Sequence, residues 1–160
     1  MNKPASRRLL IACAVAATAA LFAAPGASAA TGHEHGAPAL RLNAGAKWAT
    51  DAALRQGMTK IRTDVEATLP AIHAGRFTAG QYEALGKAVE SQLAYIVGNC
   101  KLAPDADAVL HGVIAGLSDG AGILTGKRAA PDRKAGALQI VAALDNYGRY
   151  FDHPGWTPIS

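Results

Sequence analysis

The sequence predicts an all-α protein, an up-down-up-down four-helix bundle, and three observations carry the prediction. Half of the 160 residues are apolar while only 6% are aromatic, and alanine is abundant, which favours helices over a strand-rich sandwich or barrel. From about residue 46 onward, apolar residues recur at three- and four-residue steps in four separate stretches. Short links rich in glycine and proline separate those stretches, so sequential helices pack as antiparallel neighbours. A chain of this length makes one domain.

The residues before the bundle read as an export leader and a tail. Met1 to Arg8 is cationic, Leu9 to Ala24 is unbroken and apolar, and Pro25-Gly26 precedes the small–x–small run Ala27-Ser28-Ala29. This is the pattern of a secretory signal peptide over residues 1–29, with cleavage after Ala29 or Ala30. The apolar run falls short of the roughly 20 residues that a bilayer span needs, and no later segment is expected to span. The rival reading is a lipoprotein box ending at Cys13, but the apolar run continues well past that cysteine. Residues 30–45 are polar and glycine-rich without periodicity, a flexible tail. The bundle is assigned to 46–153 and a C-terminal tail to 154–160. The expected compartment is the periplasm.

Charge then excludes one class of function. The formal net charge is +4, but Lys3, Arg7 and Arg8 belong to the leader. Their removal leaves 13 of the 16 basic residues against 12 acidic ones, and no nucleic-acid-binding surface is expected.

The first helix runs from about Ala46 to His73, with Asp51, Leu54, Met58, Ile61, Val65, Leu69 and Ile72 on one stripe. Pro70 is expected to kink or fray its last turn, and Gly75 ends it. Thr78 caps the second, which reaches about Cys100 on a stripe of Tyr82, Leu85, Val89, Leu93, Ile96 and Cys100. After Lys101-Leu102-Ala103-Pro104, Asp105 and Asp107 complement the dipole of the third helix. Its inward positions are Ala106, Leu110, Val113, Ile114, Leu117, Ala121 and Leu124, and it ends near Gly126. Ala130-Pro131-Asp132 opens the fourth, whose stripe is Ala137, Ile140, Val141, Leu144, Tyr147 and Phe151; His153-Pro154-Gly155 stops it.

Two groups of residues are candidate metal ligands. His33-Glu34-His35 sets two imidazoles and a carboxylate within three residues, a donor set for copper, nickel or zinc. Cleavage after Ala30 makes His33 the third residue, so that amine, two backbone nitrogens and imidazole form a square-planar site. The competing reading is a polar leader with two solvated histidines. In the bundle, counting heights through the links puts Met58, His111, Asn146 and Tyr147 in one layer, and a Met–His pair suits haem iron or copper. Against this, His111 lies roughly 100° from the centre of its helix's apolar stripe. Met58 equally suits core packing, and His111 a structural hydrogen bond. Cys100, the one thiol left after the leader, faces inward about five residues below His111; it reads as a buried thiol, a further ligand or the link of a homodimer. The absence of Cys-x-x-Cys-His excludes covalent c-type haem.

Catalytic signatures fail. Gly126-Lys127 is not a phosphate loop, Ser118-Asp119 has no inward histidine nearby and no nucleophile elbow, and no acid/base pair stands out. Gly112, Gly116 and Gly120 form a small-residue ridge that would admit another chain or fill a crowded corner. Tyr147, Tyr150, Phe151 and Trp156 form an aromatic cluster.

The run Leu42-Asn43-Ala44-Gly45-Ala46-Lys47-Trp48-Ala49-Thr50-Asp51 with Gly57-Met58 resembles a group of small exported helical proteins of Gram-negative bacteria, some labelled DnrO-like. So does the run from Tyr95 through Cys100 to Asp107, followed by Leu110-His111. The resemblance extends from the tail through the third helix, and such proteins often begin with a His-rich tail. The architecture is also similar to cytochromes b562 and c′. Periplasmic metal handling, copper above all, is what the resemblance implies. The DnrO label implies transcription regulation, which an exported chain without a basic surface contradicts. The expected function is a periplasmic protein that binds a transition metal, copper favoured over zinc, as buffer or delivery partner, and not an enzyme. The alternative is a metal-free module docking an envelope protein through the glycine ridge or the aromatic cluster.

Overall fold

The computed structural model describes residues 39–159. Among them are four helices, α1 (Ala52–His73), α2 (Ala79–Asn99), α3 (Pro104–Leu124) and α4 (Lys134–Tyr150). Each packs on its sequence neighbours, and α4 returns to α1 to close the bundle. The all-α four-helix architecture is the one the periodicity predicts.

The predicted stripes form the core with few exceptions. Leu54, Met58, Ile61 and Val65 of α1 are buried against Val89 and Ile96 of α2, Leu110 and Leu117 of α3, and Ile140 and Leu144 of α4. Val109 joins them, while Ile114, Val141 and Tyr82 are only partly buried. Close approach of the backbones is bought with glycine. A Cβ on Gly57 would meet Ile96 Cγ1 at 2.4 Å, and one on Gly86 would meet Leu124 Cβ at 2.9 Å. At α3/α4 the contact is tighter: a Cβ on Gly120 would lie 2.8 Å from the Gly136 carbonyl, and one on Gly136 would lie 2.6 Å from the Gly120 carbonyl. The ridge of small residues on α3 is thus largely covered by α4 within the chain.

Helix ends follow side-chain chemistry more than the stripe does. Asp51 is not an inward residue of α1 but its N-cap, with Oδ1 accepting from the Leu54 N–H at 2.7 Å. Helix α1 therefore starts at Ala52, six residues after the expected Ala46, and residues 46–50 run extended or irregular. Pro70 forfeits one backbone bond near the end of α1, yet the helix continues through it to His73. Thr78 and Gln81 make a reciprocal capping box at α2. Pro104 is the first residue of α3 rather than part of the link. The fourth helix starts at Lys134, not at Pro131; Asp132 Oδ1 accepts from the Ala135 N–H at 2.9 Å. Arg133 donates to the Leu124 carbonyl at the end of α3 and to the Ala79 carbonyl at the start of α2, 3.0 Å each.

The chain on either side of the bundle comes together at one end. Ala44 and Gly45, both with positive φ, turn the backbone between Asn43 and Ala46. Trp48 then pairs in parallel with Phe151: the Trp48 N–H donates to the Tyr150 carbonyl and the Asp152 N–H to the Trp48 carbonyl, both at 2.8 Å. From Phe151 the C-terminal segment runs back along α1 and α4. Arg62 Nε donates to the Thr157 carbonyl at 2.7 Å, and Trp156 packs edge-on against Tyr147 with ring centres 4.7 Å apart. Tyr147 and Phe151 are fully buried, while Tyr150 and Trp156 are half-buried against the core. By length and composition α3 is apolar enough to cross a membrane, contrary to the sequence expectation. In this bundle it is the helix with the most buried residues, and core helices share that composition.

Candidate functional site

The sequence-predicted ligands fall in four places. His33, Glu34 and His35 lie outside the described residues. Met58 is 0% exposed and packed among apolar neighbours. The His111 side chain is 61% exposed, on the opposite side of the packing boundary from Met58. Its Nδ1 lies 2.8 Å from the Asp107 carbonyl and 3.6 Å from the Asp107 carboxylate. The predicted Met58–His111 layer is therefore not one site. Among the described residues, no three His, Cys, Asp or Glu side chains gather into a metal-binding group.

Cys100 closes α2 and is half-buried with its thiol free. It lies beside Asp51, whose Oδ2 accepts from the Lys101 N–H at 2.6 Å. One carboxylate thereby caps α1 and holds the link between α2 and α3. Burial opposes the ionised Asp51. The Leu54 and Lys101 N–H groups, the Cys100 thiol and Arg55 outweigh it, and the carboxyl is held below its usual range. Cys100 moves the other way. Burial, with the charges of Asp51 and Asp107, pushes its thiol up to about 11, so it stays protonated and is a poor nucleophile or metal ligand at neutral pH.

A second set of polar groups meets where the C-terminal segment crosses α1. The Tyr147 hydroxyl lies 2.9 Å from His153 Nδ1, and His153 Nε2 lies 3.4 Å from Thr59 Oγ1. Tyr147 is fully buried and its hydroxyl has one described hydrogen-bond partner, His153. The hydroxyl must therefore donate to Nδ1, since the reverse arrangement strands its proton in the core. That fixes the proton of the neutral imidazole on Nε2. Burial, then Arg55, lowers the His153 pKa against a small opposing effect of Asp152, which keeps the ring neutral at pH 7. Burial likewise pushes the Tyr147 phenol well above its usual range.

Thr59, His153 and Tyr147 line up in the order of a nucleophile, a base and an orienting group. The chemistry does not follow. A neutral phenol stabilises no imidazolium, and a histidine with a lowered pKa is a weak base. What the arrangement offers is a fixed N–H donor at the wall of a cleft of about 640 Å³ that also includes Arg55, Gln56, Lys60 and Gln92. Sequence reasoning missed this cleft because its histidine reads as part of a helix stop and its arginine belongs to no motif. The chain matches no protein-family model, no curated protein and no solved structure.

Proposed function

We propose that this is an exported, periplasmic four-helix protein whose N-terminal His33-Glu34-His35 segment binds a transition metal, copper favoured, as a buffer or delivery partner. The observation that carries the reading is the donor set itself: two imidazoles and one carboxylate in consecutive positions, close behind a signal-peptide pattern. The bundle supports it indirectly. Met58 is enclosed by apolar neighbours, the Cys100 thiol resists ionisation, and His111 stands alone with Asp107, so the strongest donor set in the chain is the tail. The competing reading, a metal-free docking module, relied on the glycine ridge and the aromatic cluster. Gly116 and Gly120 face α4, while Tyr147 and Phe151 are fully buried.

The test is to express the chain with its own leader, recover it from the periplasm, and measure intact mass and bound metal together. The reading expects a mass that begins at Ala30 or Thr31 and stoichiometric copper that disappears in His33→Ala/His35→Ala. Metal retained in that variant, or a wild-type chain that refuses added copper and zinc, overturns the tail as the site.

A further inference from the structure

The cleft beside the C-terminal segment has a chemistry of its own. Its lining holds two cationic side chains, Arg55 and Lys60, and no carboxylate. Lys60 is paired with Asp64 one helical turn along α1. Arg55 forms no ion pair among the described residues. Its Nη1 donates to the Thr50 carbonyl at 2.7 Å and to Thr50 Oγ1 at 3.1 Å. That fixes the guanidinium plane without consuming its other N–H donors. The same lining includes His153, whose Nε2–H has only a long 3.4 Å contact to Thr59 Oγ1, together with Gln92 and with Gln56, whose Oε1 accepts from the Tyr95 hydroxyl at 3.0 Å.

We propose that this cleft binds a small organic acid, its carboxylate held between the Arg55 guanidinium and the His153 Nε2–H. Three features select that class. A guanidinium with one edge anchored offers the planar fork that matches a carboxylate. A neutral imidazole that only donates towards the cleft favours an acceptor and excludes it as a metal ligand in this tautomer. The volume, about 640 Å³, lies within the range of small-molecule sites, and the methylene stems of Arg55 and Lys60 can flank a short aliphatic chain. The site depends on the fold-back of the C-terminal segment, since His153 comes from that segment and Arg55 from α1.

The experiment is an NMR titration of the full chain with succinate as the probe, alongside its uncharged diamide and inorganic phosphate. Succinate should shift the His153 ring and Arg55 Nε signals saturably, and the diamide should leave them unmoved. Arg55→Gln should weaken succinate binding at least about tenfold. Because Arg55 also holds Thr50, Gln92→Glu is the second variant. It adds an anion to the cleft wall without removing any described hydrogen bond, and should weaken succinate by a similar factor with an unchanged thermal melt. The proposal is overturned if succinate produces no saturable shift, if the diamide binds as well, or if Gln92→Glu binds as wild type does. It is also overturned if phosphate binds more tightly than succinate at the same residues, because the cleft then selects a different anion.

Discussion

Replacing Gly120 with alanine should destabilise the protein, although alanine is the better helix former. On an open helix surface the exchange gains about 1 kcal/mol. At Gly120 the new Cβ would sit 2.6 Å from Ile140 Cγ1, 2.8 Å from the Gly136 carbonyl and 3.2 Å from the Ile140 backbone nitrogen. Two of those three atoms are backbone and cannot rotate away, so α3 and α4 must separate. Overpacking of this kind costs typically 1–3 kcal/mol, and the upper end applies here. The net loss is about 2 kcal/mol. With a urea m-value of about 1.5 kcal/mol/M for a domain of this size, the midpoint falls by about 1.3 M. The assay is urea unfolding followed by far-ultraviolet circular dichroism, with Gly80→Ala and Gly98→Ala as controls. Both control positions lie in α2 with nothing within 4 Å of a new Cβ, so each should be neutral or gain up to about 1 kcal/mol. A Gly120→Ala protein as stable as the wild type would refute the close packing of α3 on α4, and would return the glycine ridge to the surface.

Three further outcomes follow from the ends of the bundle. Asp51→Ala removes the cap of α1 and the bond to the Lys101 N–H; a loss of about 2 kcal/mol is expected, about 1 from each, and an unchanged melting temperature would contradict the double role. Cys100 should alkylate slowly in the folded chain, because a shift from 9.0 to about 11 cuts the thiolate fraction about 100-fold. Iodoacetamide consumption at equal rates in native and urea-unfolded protein would rule that out. For His153 the folded-state pKa is depressed by burial and Arg55. Its contribution to stability is thus present above the unfolded value near 6.5 and lost as pH falls through the folded one. Urea midpoints should fall between pH 7.5 and 5.5 more steeply in the wild type than in His153→Gln. An Hε1 titration centred above 6.5 would show that the sign is wrong.

The helical stripes were legible because the core is nearly all aliphatic and each helix shows one buried face. Thr78, Gly75 and Gly126 announced their helix ends through capping and positive φ. The start of α1 was misread for a physical reason. Asp51 falls in phase with Leu54 and Met58, and periodicity alone cannot separate an N-cap from a first inward residue. The pairing of Trp48 with Phe151 left no trace either, since it joins residues about a hundred positions apart through two backbone bonds. The cleft depends on the same fold-back. Arg55 and His153 carry no motif, and only the return of the C-terminal segment across α1 brings them into the lining of one cleft. Met58 and His111 could be placed at one height by counting, but side-chain direction separates them, and the roughly 100° offset of His111 already pointed that way.

Copper titration of the chain from Ala30 onward tests the proposed tail site most directly. A chromogenic chelator of known affinity competes for Cu(II) with the wild type and with His33→Ala/His35→Ala, while circular dichroism confirms that both stay folded. One copper per chain, withdrawn from the chelator by the wild type and left with it by the double variant, is the predicted result. Equal competition by the two proteins, or none by either, contradicts the account.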